Sequence, residues 1–226
     1  MSRDDLIREM NVYYDRRAPW HDEYMSYHSQ REHETLMQPL LDQIKERIIG
    51  KDVLEVACGT GIWTQTLTTR ARSVVATDVN ASVIELAKLK EYRGAPVRFE
   101  EVDAYALDKI AGSFDVAFMA DWWSHIPKQR VADFLQALHD HLEKGACVII
   151  IDMLVIDFFE QEEVRYDEDG NRISRRTVPG GGEFWVVKNF PDETELRETL
   201  SPYADDIKYI RDNDLQRWMV MYTKRG

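Results

Sequence analysis

Glu55, Gly59, Gly61 and Asp78 have the residue types and spacing that point most directly to chemistry in this 226-residue chain. Glu55 stands inside an apolar run, Val53-Leu54-Glu55-Val56-Ala57, which passes into Cys58-Gly59-Thr60-Gly61. A strand feeding a Gly-x-Gly turn brings bare backbone up to a ligand and aims the next helix N-terminus at it. A second apolar run, Val74-Val75-Ala76-Thr77, ends on Asp78. An acid at such a strand tip, roughly 20 residues past the turn, is placed to bind the two hydroxyls of a ribose. Thr64 stands where a dinucleotide fingerprint has its third glycine, which lets helix and strand pack closely beside a pyrophosphate.

Two ligands compete for this pattern, a dinucleotide and S-adenosylmethionine. The second has no phosphate, so its turn tolerates Trp63 and Thr64. A carboxylate inside a strand is costly unless paired; Glu55 can brace the turn by accepting backbone N–H groups, and it suits a cationic ligand. Strand, Glu55, turn and Asp78 together resemble the first motif of the class I S-adenosylmethionine-dependent methyltransferases, apolar-Asp/Glu-apolar-x-x-Gly-x-Gly. The chain is similar to the small-molecule, ubiquinone/menaquinone-methyltransferase-like members. An NAD(P)-dependent oxidoreductase and a non-catalytic S-adenosylmethionine-binding protein are the alternatives.

The resemblance implies where S-adenosylmethionine lies. Ala57, Gly59, Thr60 and Gly61, with Glu55 and Trp63 beside them, face its methionine portion; Asp78 and Val79 hold the ribose, and Asp103 and Ala104 the adenine. Ala120 and Asp121 follow the fourth strand and open the most unusual run here, Ala120-Asp121-Trp122-Trp123-Ser124-His125. Trp122 and Trp123 are expected to wall the acceptor cavity, because indoles are costly to expose and can hold a sulfonium by cation–π contact, about 0.5–2 kcal/mol. His125 is a candidate general base, titrating near neutrality, or a support beneath the cofactor. The stretch from Tyr13 to Tyr24 resembles the Tyr-Asp-x-x-Ala-x-x-Tyr-Asp entry segment of small-molecule methyltransferases, with His21-Asp22 where the second Tyr-Asp would fall. That likeness implies Tyr14 near the methyl group with a part in catalysis, Arg17 near the cofactor carboxylate and Tyr24 towards the acceptor. Arg172, Arg175 and Arg176 are candidates to hold an acceptor carboxylate, or else are solvated surface.

The elements that must position these residues alternate. An aromatic prelude over 2–32, with Tyr27 among its rings, precedes an amphipathic helix over 33–49. Strands are expected at 52–57, 73–77, 97–102, 114–119 and 146–151, with helices from Ile62, over 81–92 and over 128–142. An insertion at 155–190 carries a charged helix start and a hairpin (163–166, 172–177), with 184–187 as a third strand. A helix capped by Asp192 and two closing strands, 207–211 and 216–224, complete the order. The fold class is α/β: a Rossmann-like seven-stranded mostly parallel sheet with helices on both faces and a C-terminal antiparallel hairpin. The chain reads as one methyltransferase domain with an N-terminal lid.

Composition narrows the partners. Hydrophobic content is 44%, charged content 31% and net charge −12, which describes a globular chain without the basic stripe that grips nucleic acid. No apolar run is long enough to span a bilayer, and the first residues lack a secretory h-region. Two cysteines without metal-ligand spacing suggest a reducing, cytoplasmic setting and no metal. The expected partner is a small-molecule methyl acceptor, not nucleic acid or a membrane, with the chain a monomer or homodimer.

Overall fold

The computed structural model describes residues 3–25, 30–156 and 162–226. Its main sheet has the strand order β3-β2-β1-β4-β5-β10-β9. The strands are β1 (Asp52–Val56), β2 (Ser73–Asp78), β3 (Val97–Glu101), β4 (Phe114–Ala120), β5 (Leu142–Met153), β9 (Ala204–Asp212) and β10 (Arg217–Lys224). β1 to β5 pair in parallel. β10 lies antiparallel to both β5 and β9.

Side-chain alternation sends neighbours on one strand to opposite faces. Leu54, Val56, Ala117, Met119, Val148 and Ile150 join one apolar cluster, and Val53, Val116, Phe118, Ile149 and Ile151 the other. Each face is covered by helices. On the second, α3 (Gln30–Ile48) lays down Met37, Leu40, Ile44 and Ile48. On the first, α6 (Val131–His139) buries Phe134, Leu135 and Leu138. The shorter α4 (Ile62–Thr68) and α5 (Ala81–Lys88) follow β1 and β2, and α7 (Glu193–Leu200) starts on a capping box formed by Asp192 and Glu195.

Several boundaries depart from expectation; β9, for one, begins at Ala204 and not at 207. α5 ends at Lys88, because Tyr92 folds back to donate its hydroxyl to the Ala87 carbonyl at 2.7 Å. After a 3-10 turn at Lys128–Arg130, α6 stops at His139, so His141 lies outside the helix. β5 already begins at Leu142, with Gly145 inside it, and the register against β4 jumps from Phe114↔Leu142 to Val116↔Cys147, a bulge that absorbs the extra residues.

The insertion builds a separate antiparallel sheet of β6 (Val164–Tyr166), β7 (Arg172–Thr177) and β8 (Glu183–Val187). Its helix start, at 157–161, and Tyr27 lie outside the described residues. α1 (Arg3–Arg17) lies on this sheet: Leu6, Met10 and Tyr13 pack with Ile173, Val178, Phe184, Val186 and Val187. The Trp185 N–H also donates to Glu9 Oε1 at 2.7 Å. N-terminal helix and insertion are thus one layer, a roof beside the main sheet.

Candidate active site

β1 and β4 are adjacent, yet one chain path leaves towards β2 and the other towards β5, so a crevice opens at their carboxyl ends. Two non-glycine residues take left-handed backbone at this point, Ala57 (φ 55°) and Asp121 (φ 57°). Such a conformation costs on the order of 1–3 kcal/mol and persists only where its surroundings enforce it. For Ala57 the adjoining Cys58 N–H is tied to the Thr77 carbonyl at 2.8 Å. For Asp121 the buried guanidinium of Arg217 holds Oδ1 at 2.5 Å. Gly61 has φ 78°, and a Cβ there would sit 2.3 Å from the Tyr92 hydroxyl, so only glycine fits.

Asp78, not Glu55, braces the turn. Its two oxygens accept the N–H groups of Gly59 (3.0 Å) and Asn80 (2.9 Å). Burial pushes the Asp78 carboxyl up, opposed by N–H bonds from Asn80, Gly59 and Val79. Glu55 instead accepts the Thr64 hydroxyl at 2.6 Å, and burial pushes its carboxyl up to about 8. The threonine that replaces the third glycine is thereby the partner of the strand acid.

A cavity of about 460 Å³ fills the crevice. Glu55, Ala57, Gly59, Trp63, Asp78 and Val79 line it from the β1–β2 side, and Asp103, Ala104, Ala120, Asp121 and Trp122 from the ends of β3 and β4. Tyr14 and Arg17 close it from the roof, and His125 from the turn that follows β4. Thr60 and Gly61 sit behind the lining: the Thr60 hydroxyl donates to Asp22 Oδ1 at 2.5 Å, and Asp22 also pairs with Lys90 at 2.7 Å. Trp123 is a correction: it is buried against Phe134 and borders a second cleft under the small sheet. Trp122, one residue earlier, meets Phe134 edge-on at 4.7 Å and does face the cavity. Tyr24 belongs to the short helix α2 (His21–Met25), and its side chain lies outside the described residues.

His125 has both ring nitrogens engaged. Nδ1 lies 2.6 Å from the Val187 carbonyl, which can only accept, so Nδ1 carries the proton. Nε2 therefore accepts the Tyr14 hydroxyl at 2.7 Å. Burial, reinforced by Lys188, pushes the imidazole down to about 3, so it is neutral across the physiological range. Burial also raises the Tyr14 phenol above its ordinary value, against the pull of Arg17. Arg17 lies over the rings of Tyr13 and Tyr14, 6.0 and 5.6 Å from their centroids.

The lining also includes residues that were not among the expected site, His21, Met10 and Lys188 among them. The His21 imidazole is 3.3 Å from where a Cβ on Gly59 would be, and burial pushes it down to about 4. Lys188 Nζ donates to Ser124 Oγ at 2.7 Å and pairs with Asp152 at 3.4 Å. Nothing local in the sequence marks Lys188, which follows the last strand of the insertion. Of the three candidate arginines in the insertion, Arg176 alone lines the cavity; Arg172 borders the second cleft, and Arg175 pairs with Glu163 and Glu183 on the surface.

Residues 53–145 match the family described as a methyltransferase domain. The ubiquinone biosynthesis O-methyltransferase of Azotobacter vinelandii is 30% identical over 104 residues, 45% of this chain and 44% of that protein. The Pectobacterium atrosepticum protein of the same name is 24% identical over 183 residues, 79% and 64% of the two chains. The chain thus spans under two thirds of these relatives' length. Among solved structures, one described as a DhpI-SAM-HEP complex matches with TM-score 0.78 and 26% identity, covering 98% of this chain and 99% of that one. The N-methyltransferase NodS of Bradyrhizobium japonicum WM9, in complex with S-adenosyl-l-homocysteine, shares the fold at TM-score 0.67 and 13% identity, covering 96% and 100%. Residues 53–145 thus carry the match to a methyltransferase domain, and the sheet order over the rest of the chain is that of a Rossmann-like fold shared with these solved structures.

Proposed function

We propose that this chain binds S-adenosylmethionine in the crevice cavity and passes its methyl group to a small-molecule acceptor. The observation that carries this reading is the meeting, in one cavity, of the Asp78-braced glycine turn and the Tyr14–His125 pair from opposite sides. The residues fit a cationic nucleoside ligand. Asp121 Oδ2 is buried without a hydrogen-bond partner among the described residues, and Asp121 lines the cavity. A positively charged group supplies the missing donor. Asp78 would hold the ribose, with Ala57 and Gly59 against the methionine portion.

When bound, the sulfonium offers a methyl carbon to an in-line nucleophile. That transition state disperses charge, so the protein contributes mainly orientation and exclusion of water. His125, with Nδ1 donating to Val187 and Nε2 accepting from Tyr14, fixes the Tyr14 hydroxyl over the cavity instead of acting as base. The relatives' name favours oxygen as the acceptor atom. We read residues 1–32 as the lid, the insertion as the acceptor wall and the whole as one domain, monomeric or dimeric and cytoplasmic. Free Cys58 and Cys147 support that setting, and no helix among the described residues is long and apolar enough to cross a membrane.

Calorimetric titration with S-adenosylhomocysteine and with NAD tests the reading. S-adenosylhomocysteine should bind and NAD should not. Asp78→Ala should weaken binding by more than the ribose bonds alone, about 1.5–3 kcal/mol each, because Gly59 and Asn80 lose their acceptor too. Unchanged affinity in Asp78→Ala would remove the ribose role, and binding of NAD instead would favour an oxidoreductase.

A further inference from the structure

One carboxylate behind the cavity ties together the two chain segments that meet at His125. Asp152, at the end of β5, is fully buried and accepts the Ser124 N–H at 2.8 Å and the Ser124 hydroxyl at 3.1 Å. Lys188 Nζ bridges the same two groups, 2.7 Å from Ser124 Oγ and 3.4 Å from Asp152 Oδ1. Ser124 immediately precedes His125, and Lys188 immediately follows Val187, whose carbonyl accepts from His125 Nδ1. We propose that Asp152 is a positioning residue for the cofactor site: by clamping these two segments it fixes the His125 tautomer, so that Tyr14 turns lone pairs, not its proton, towards the sulfonium. This rests on the reading of the cavity as the S-adenosylmethionine site and adds to it a residue behind the lining.

The clamp acts through a short chain of hydrogen bonds. The Asn189 N–H donates to the Ser124 carbonyl at 2.8 Å, so the turn after β4 and the end of β8 run side by side. With these segments in place the Val187 carbonyl meets Nδ1, Nδ1 donates, and Nε2 is left to accept the Tyr14 hydroxyl at 2.7 Å. A phenol has one proton to give. Once His125 takes that hydrogen bond, the Tyr14 oxygen offers the cavity lone pairs alone. With the tautomer reversed, Nε2–H would donate to Tyr14, and the phenol proton would turn towards the ligand. A lone pair attracts a sulfonium and its polarised methyl C–H groups, whereas an O–H dipole aimed at them repels.

The charges support the geometry. Burial would raise the Asp152 carboxyl, but the Lys188 ammonium and the N–H groups of Ser124 and Met153 hold it below its ordinary value, so it is ionised. Desolvation cancels much of the Coulomb gain of a buried ion pair. What this pair adds is a fixed arrangement: it joins β5 of the main sheet, the turn after β4 and the end of β8 in the small sheet.

Calorimetric titration of the full chain with S-adenosylmethionine and with S-adenosylhomocysteine, which differ by the sulfonium methyl, tests the proposal. Asp152→Asn combined with Lys188→Met leaves the net charge of the cluster unchanged, so a direct charge effect on the sulfonium cancels and loss of the clamp remains. The ratio of the two affinities should shift about fivefold against S-adenosylmethionine, with S-adenosylhomocysteine bound as by the wild type. In heteronuclear NMR the His125 Nδ1–H signal, assigned by its absence from His125→Gln, should broaden or vanish. Ser124→Ala removes the bridging hydroxyl and no charge; it should shift the ratio in the same direction, and it carries the test if the double variant does not fold. An unchanged ratio in the folded variant, or an equal loss of both affinities, overturns the positioning role and leaves the cofactor reading standing. A shifted ratio with an unchanged Nδ1–H signal also overturns it, since the effect would bypass His125. Failure of S-adenosylhomocysteine to bind the wild type sinks the cofactor reading, and this proposal with it.

Discussion

Glu55 and His125 are both buried and both neutral near pH 7, and they depend on pH in opposite senses. The Glu55 carboxyl rises from 4.5 to about 8 on folding, so it favours the fold below its ordinary range and that contribution is lost as pH rises through about 8. A cation bound beside it favours the carboxylate. Binding S-adenosylmethionine at pH 7 should therefore release part of a proton, seen as a binding enthalpy that varies with buffer ionisation enthalpy. Glu55→Gln should abolish the variation; its persistence would move the proton elsewhere. His125 falls from 6.5 to about 3, so it is neutral in the fold and protonated in the unfolded chain between those values. Stability should drop as pH falls from 6.5 towards 3, by up to about 1.4 kcal/mol per pH unit for this one group. His125→Gln should flatten a urea-denaturation series over that window, and an equally steep series would contradict the assignment.

Among the elements, the strand–turn–helix units were legible because period-2 and period-3.6 patterns alternate cleanly, and Glu55, Gly59 and Asp78 sit at their junctions. Strand order and crevice follow from the family resemblance. The end of α6 was misread because Leu138 and Leu142 are four apart and mimic one helical face, while pairing with Phe114 claims Leu142 for β5. Trp122 and Trp123 were indistinguishable in sequence; the 3-10 turn at Trp123–His125 decides which indole faces the cavity. The packing of α1 on β8 was not legible, since no local pattern reports which distant strand a helix will cover. Leu6 and Met10 hold that layer, and removing such side chains typically costs about 2–5 kcal/mol each. A Leu6→Ala, Met10→Ala double variant should speed amide exchange in α1 and trypsin cleavage after Arg16 or Arg17, with the main sheet still protected. Loss of protection throughout would show roof and sheet to be one cooperative unit.

At the scale of the molecule, stability concentrates in the main sheet. Phe118 on central β4 is fully buried and meets Trp63 at 5.4 Å between ring centroids. Phe118→Ala should cost about 3–5 kcal/mol in denaturant unfolding; a cost under about 1 kcal/mol would mean that the neighbours collapse into the space. The net charge of −12 coexists with cations gathered on the roof side of the cavity. Composition alone conveys the first fact and hides the second.

The hydrogen bond from Trp185 to Glu9 closes a loop of 176 positions. Its two ends leave the ribosome far apart in time: α1 is made first, and the strand it needs is made only after all five parallel strands of the main sheet. Contacts of such separation carry a high closure cost and tend to form late. Through most of synthesis α1 is an apolar-striped helix with no surface to cover. In refolding, sheet secondary structure should return in an earlier phase than affinity for the nucleoside ligand. The part of the protein that selects the acceptor is then the last to become itself.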